Sequence, residues 1–76
     1  MKLIKQTNKG EIKIFQHDFF GRVAVCKMVI GFELCKKYAK KNNAIIPNVA
    51  MMNSINFRYP TKEEIESIMY KPFKKY

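Results

Sequence analysis

The chain has 76 residues, of which 15 are basic and 6 are acidic, giving a formal net charge of +9 at pH 7. A chain of this length has room for one hydrophobic core, so residues 1–76 are predicted to form a single basic domain. The hydrophobic fraction of 47% excludes a chain disordered throughout, and the charge favours a polyanionic partner such as nucleic acid, an anionic membrane or an acidic protein.

The first residues predict a β-hairpin. Residues 1–7 and 11–16 are rich in strand-forming side chains, and they flank the sequence Asn-Lys-Gly at 8–10. Glycine in such a loop supplies the positive φ that a tight turn between two strands requires.

An apolar segment at 22–30 follows a second turn sequence at 17–21. Because the segment is nearly all apolar and rich in β-branched side chains, it predicts a central strand buried on both faces. The competing interpretation is one long helix over residues 19–42, since an unbroken apolar run has no diagnostic period. Gly31 and the valines favour the strand.

The next segment, residues 32–42, has the three-and-four spacing of an amphipathic helix that stops at Asn42 and Asn43. Its predicted apolar side consists of Leu34, Cys35, Tyr38 and Ala39. Its opposite side carries four lysines, called here the lysine comb: Lys36, Lys37, Lys40 and Lys41. Most charged helix faces of this kind are only solvated, so the comb alone does not establish a function.

The second half of the chain predicts one more strand and one more helix. Residues 49–59 alternate with period two, and the predicted apolar side of this strand holds Val49, Met51, Ile55, Phe57 and Tyr59. Thr61 and Glu64 have the capping-box spacing, so a helix is expected to begin there and to end at Pro72. Its apolar side would hold Ile65, Ile68 and Met69.

These elements together predict an α+β fold. The expected architecture is a small single domain in which an antiparallel sheet of about four strands packs against two helices, in the order β-β-β-α-β-α.

Few residues are arranged for chemistry. Cys26 and Cys35 are nine positions apart and have no second ligand pair nearby, which predicts two buried free thiols and no zinc site. His17 and Asp18 are adjacent, but neighbours on a turn seldom point at one reacting atom. The glycines are too scattered for a phosphate-binding loop. We therefore expect no enzymatic activity, no catalytic residues, no bound metal and no cofactor.

The sequence contains no apolar segment long enough to act as a leader or to cross a bilayer. The protein is therefore expected in the cytoplasm and without a membrane partner.

Nucleic-acid binding, with RNA favoured, is the first functional hypothesis. The comb supplies charge, Arg58 supplies a planar donor, and the tail at 71–76, expected to be flexible, interleaves cations with rings that stack on unpaired bases. The residues expected to contact nucleic acid or a nucleoprotein are Lys36, Lys37, Lys40, Lys41, Arg58, Tyr70, Phe73, Lys74, Lys75 and Tyr76. Because nearly all of the charge is lysine, little sequence preference is expected.

Inhibition of another protein is the second hypothesis. In size and composition, though in no motif, the chain resembles the small accessory proteins with which bacteriophages and mobile elements block a host enzyme or defence complex. The same surface would then contact an acidic or nucleic-acid-binding host protein, with aromatic side chains as anchors. A homodimer is a further expectation, because a core this small gives modest stability. The lysine excess also has an explanation without function, since A/T-rich codons favour Lys, Asn and Ile.

Overall fold

A computed structural model of the chain describes residues 2–53 and 57–72 and shows a small α+β domain, as the sequence predicts. The elements are β1 (Lys2–Gln6), β2 (Ile12–His17), β3 (Gly21–Lys27), α1 (Phe32–Lys41), β4 (Ile46–Pro47), β5 (Met51–Met52), α2 (Lys62–Ile65) and β6 (Ile68–Tyr70). Within the described residues, four of the strands form a mixed sheet in the order β1-β2-β3-β5, and the two short strands β4 and β6 form a second sheet.

The predicted hairpin is confirmed. Strands β1 and β2 pair in antiparallel fashion, and the N–H of Gly10 donates to the carbonyl of Thr7 at 2.8 Å to close the loop. Gly10 has a φ of 67°, which explains why glycine occupies this position. The hydroxyl oxygen of Thr7 accepts from the N–H of Glu11 at 3.0 Å, so this side chain also holds the loop.

The predicted central strand is confirmed, and the alternative of one long helix is wrong. Strand β3 lies between β2 and β5, and its residues 23–26 are fully buried. The strand ends at Lys27, three residues earlier than expected, because the chain turns into a 3-10 turn, Met28–Ile30. Gly31 follows with a φ of 87°, a conformation that a helix cannot continue through.

The predicted helix is confirmed as α1, although its buried face is narrower than expected. Cys35 and Ala39 are fully buried and lie one helical turn apart, whereas Leu34 is 55% exposed. Leu34 is therefore a correction: it lies about 100° around the helix from Cys35, at the edge of the face that meets the sheet. Asn43, with a φ of 55°, ends the helix.

The predicted strand at 49–59 is largely wrong. Only Met51–Met52 pairs with the main sheet, and residues 57–60 lie outside any strand, while residues 54–56 fall outside the described part of the chain. The buried side is also reversed, since Ala50 and Met52 are buried where Met51 was expected.

The direction of β5 follows from the helix that precedes it. Strand β3 connects to β5 through α1, and a crossover of this kind returns the chain in the same direction, so the two strands are parallel. The expected antiparallel pairing therefore fails at this edge of the sheet. Residues outside β5 also pair with this edge of β3. The N–H of Ala24 donates to the carbonyl of Ile45, and the N–H of Cys26 donates to the carbonyl of Ala50.

The second helix begins as predicted but is much shorter. Thr61 and Glu64 form the reciprocal capping box. The helix ends after Ile65, and Ile68–Tyr70 becomes β6, antiparallel to β4, instead of the second half of a helix. The spacing of Ile68 and Met69 predicts the apolar side of a helix. Both residues instead lie in a strand and are exposed.

The main sheet has two distinct faces. Cross-strand partners in an antiparallel pair lie on the same face, so the β2–β3 register separates the side chains cleanly. One face carries Ile12, Ile14, Ala24 and Cys26, and α1 packs on it. The far face carries Lys13, Phe15, Val23, Val25 and Lys27. No helix within the described residues is long and apolar enough to cross a membrane.

Candidate functional site

The lysine comb lies on the exposed side of α1. All four of its side chains are exposed, and no carboxylate of the described residues forms an ion pair with any of them. Lys36, Lys37 and Lys40 line a shallow cleft of about 260 Å³ together with Glu33 and Leu34. This arrangement leaves the comb charges available to an external anion.

Tyr70 lies close to the comb. It is half-buried at the end of β6, and the Nζ of Lys36 lies 5.6 Å from the centre of its ring. The structure therefore brings Tyr70 to the surface that carries the comb, as the nucleic-acid hypothesis needs. Phe73, Lys74, Lys75 and Tyr76, the other expected contacts, lie outside the described residues.

Arg58 has a different role from the one expected of it. Its guanidinium donates two hydrogen bonds to the carboxylate of Glu64, at 2.9 and 3.0 Å, and a third to the carbonyl of Tyr59 at 2.8 Å. The hydrogen bonds with Glu64 raise the pKa of Arg58. Arg58 is thus committed to the start of α2 and is not a free planar donor.

Glu64 is the acidic group that this pair controls. The hydrogen bond from Arg58, followed by the backbone N–H of Thr61, lowers the pKa of Glu64 to about 2. Both partners act on the charged form of the carboxylate, so the capping box and the ion pair stabilise the same state.

Acid is therefore expected to weaken this end of the domain. The folded-state pKa of Glu64 lies below the unfolded value of about 4.3, so its contribution to stability is complete above about pH 4.3 and is lost as the pH falls toward 2. We expect Glu64→Gln to lower the urea midpoint at pH 6 but to have a much smaller effect near pH 2. The control is Glu66→Gln, an exposed glutamate outside this pair. Equal effects of the two substitutions at pH 6 would contradict the assignment.

A second concave surface, called here the far-face cleft, lies on the side of the sheet opposite α1. It has a volume of about 330 Å³ and is lined by Leu3, Lys13, Phe15 and Val25 from three strands and by the segment 57–59. The sequence pattern does not indicate this site, because the alternation of residues 49–59 predicts that Phe57 and Tyr59 lie on the apolar side of a strand. One signal for it is Lys13, which alternates with Ile12 and Ile14 and therefore puts a cation on the other face of the sheet.

Lys13 and three aromatic rings line the far-face cleft, and Lys27 lies beside one of these rings. The Nζ atoms of Lys13 and Lys27 lie 5.1 and 5.8 Å from the centre of the Phe57 ring, within cation–π range. Phe15 and Tyr59 meet at 4.4 Å with their planes at 70°, an edge-on contact. The cleft therefore combines positive charge with aromatic surface.

The two cysteines are buried free thiols, as predicted. The structure adds that they meet across the interface between β3 and α1, where the hydrogen bond with Cys26 and burial both raise the pKa of Cys35. The thiol of Cys26 also lies 3.0 Å from Sδ of Met51. These groups are part of the core that joins the helix to the sheet.

His17 holds a turn. Its Nδ1 accepts hydrogen bonds from the backbone N–H groups of Phe19 and Phe20, at 3.0 and 3.2 Å. The ring therefore closes the loop between β2 and β3, and its neighbour Asp18 is exposed.

No protein-family model, curated protein or solved structure matches the chain. The functional interpretation therefore rests on the geometry described above.

Proposed function

We propose that the protein is a non-enzymatic, cytoplasmic binding module that takes single-stranded nucleic acid, RNA above all, on the lysine comb. The observation that carries the proposal is the presence of four exposed lysines on one helix face with no ion-pair partner among the described residues. Charges that are not compensated within the molecule retain their attraction for a polyanion.

The spacing of the comb suits contacts with a phosphate backbone. Lys36 and Lys40 lie one turn apart, as do Lys37 and Lys41, so the four charges form two adjacent rows about 6 Å long. Lysine binds phosphate as a point charge without fixed geometry, so this surface reads charge and not base sequence. Tyr70 adds an aromatic ring at the same surface.

The salt dependence of binding tests the proposal. A fluorescently labelled 15-nucleotide oligouridine is titrated with the protein between 50 and 300 mM salt, and the logarithm of the association constant is plotted against that of the salt concentration. If the four comb lysines each displace one counterion, a slope of about −3 is expected for a single strand. A flat plot, or no binding at 50 mM salt, would contradict the proposal.

Direct binding to a host protein, and hence its inhibition, is the second candidate function. It is favoured by exposed apolar side chains: Leu34 lines the comb cleft, and Met28 and Val29, in the turn before α1, are also more than half exposed. Apolar side chains next to cations are typical of a protein interface and add nothing to phosphate binding.

A pull-down from cell lysate separates the two functions. The tagged protein is washed at low and at moderate salt, with and without nuclease. Heterogeneous RNA that is lost as the salt rises supports the nucleic-acid proposal. A single protein that is retained in fixed ratio after nuclease and salt supports inhibition.

A further inference from the structure

We propose that the far-face cleft holds one unpaired base of the bound single strand, with the neighbouring phosphate on Lys13 and Lys27. The inference rests on the proposed function and adds a second contact to it, on the opposite side of the sheet from the comb. Three properties carry the inference: the size of the cleft, the exposed ring of Tyr59, and the two partly buried lysines, Lys13 and Lys27, beside Phe57.

The size of the cleft suits a single base. Its volume of about 330 Å³ lies at the lower end of the range for small-ligand sites, which leaves no room for a duplex. Phe15 and Val25 form an apolar floor, and Leu3 borders it from β1. Among the described residues, no acidic side chain lines the cleft, and the nearby Glu64 carboxylate is paired with Arg58.

Tyr59 offers the stacking surface. Its side chain is 50% exposed although its ring is fixed against Phe15 at 4.4 Å. A ring that is already held in place loses little conformational entropy when a base stacks on it. Stacking on an aromatic ring accepts every base, which agrees with a protein that reads little sequence.

Lys13 and Lys27 supply the phosphate contact. Both are half-buried, and both hold their Nζ within 6 Å of the same ring, that of Phe57, so both charges lie beside this wall of the cleft. Partly desolvated ammonium groups bind an anion more strongly than fully hydrated ones, because less water screens them. The Arg58 guanidinium at the cleft is already neutralised by Glu64, so it is not counted as a ligand.

The comb and the cleft make different demands on the ligand. The comb lies on the helix layer and the cleft on the far face of the sheet, so they share no side chain. The four comb lysines need only phosphates, whereas the cleft needs a base, and substitution of Tyr59 distinguishes a base in the cleft from one stacked on Tyr70 beside the comb. Their contributions should therefore separate in an experiment that removes bases without removing phosphates.

The experiment compares two 12-nucleotide probes with the same number of phosphates: an oligouridine and an abasic oligomer of equal length. Wild-type protein is expected to bind the oligouridine about 10-fold more tightly, a typical effect of one stacked base. Tyr59→Leu keeps an apolar contact with Phe15 but removes the aromatic face, so we expect the two probes to bind it equally. Tyr59→Phe keeps the ring and is expected to retain the preference.

Each outcome has a defined meaning. Equal binding of both probes by the wild-type protein overturns the base cleft and leaves the proposed function standing, whereas binding of neither probe overturns both. A preference that survives Tyr59→Leu also overturns the cleft, since the base contact would lie elsewhere.

A second readout does not depend on any variant. A single 2-aminopurine placed in the middle of the oligouridine should lose fluorescence on binding wild-type protein, because stacking on a ring quenches it. Unchanged fluorescence at saturation would exclude a stacked base even if Tyr59→Leu fails to fold.

Discussion

Replacing the four comb lysines with glutamine is expected to weaken binding of single-stranded RNA on the order of 100-fold at 0.1 M salt, since each phosphate contact contributes a counterion-release term. The slope of the salt plot should fall by about 3 in the same variant. The free energy of unfolding should change by no more than about 1–2 kcal/mol, because all four side chains are exposed and the loss comes mainly from Lys40 and Lys41, which interact with the dipole in the last helical turn. Fluorescence anisotropy and thermal unfolding measure the two quantities.

The matched control changes the same amount of charge at other places. Lys2, Lys5, Lys9 and Lys62 are also exposed, and their replacement with glutamine lowers the net charge from +9 by the same four units. If binding depends on the helix face, this control should lose far less affinity than the comb variant. Equal losses would show that net charge alone governs binding and that the comb is not a site.

Ile14→Ala is expected to destabilise the fold by about 2–5 kcal/mol, the usual cost of removing a large aliphatic side chain from a core. Ile14 is 0% exposed on β2 and lies opposite Ala24 of β3, on the sheet face that α1 covers. A chain of this size has a total stability of roughly 4–11 kcal/mol, so the substitution removes a large part of it. Urea unfolding followed by circular dichroism measures the loss.

The control for Ile14 is the same substitution on the neighbouring strand. Ile4 on β1 is 42% exposed, so Ile4→Ala should cost much less. Similar losses in the two variants would contradict the sheet register, because they would mean that Ile4 is as deeply packed as Ile14.

Local chemistry made four features of the fold predictable: the hairpin, β3, α1 and the start of α2. The hairpin depends on a glycine at position 10 with positive φ, and β3 depends on an apolar run whose valines favour a buried strand over a helix. The helix α1 depends on the spacing of Cys35 and Ala39, and the start of α2 on the Thr61 and Glu64 capping box. In each case the signal lies within a few residues of the element it determines.

The short strands β5 and β6 were not predictable in the same way. Met51–Met52 forms a strand because α1 returns the chain beside the open edge of β3, and Ile68–Tyr70 forms one because β4 is there to pair with it. A two- or three-residue strand has too little sequence of its own to indicate its state. Whether such a segment becomes a strand depends on the strand that it pairs with, and that strand is distant in the chain.

The same division applies to the candidate site. The net charge follows from the sequence alone, and so does the exposed comb, because helical spacing places the four lysines opposite Cys35. The burial of both thiols was also predictable, because free cysteine is among the residues most often found in cores. Tertiary packing is what pairs Arg58 with Glu64, brings Lys13 and Lys27 to Phe57, and places Tyr59 against Phe15 in one cleft. These contacts join residues up to 44 positions apart in the chain, and packing of the segment 57–59 against the far face of the sheet brings them together.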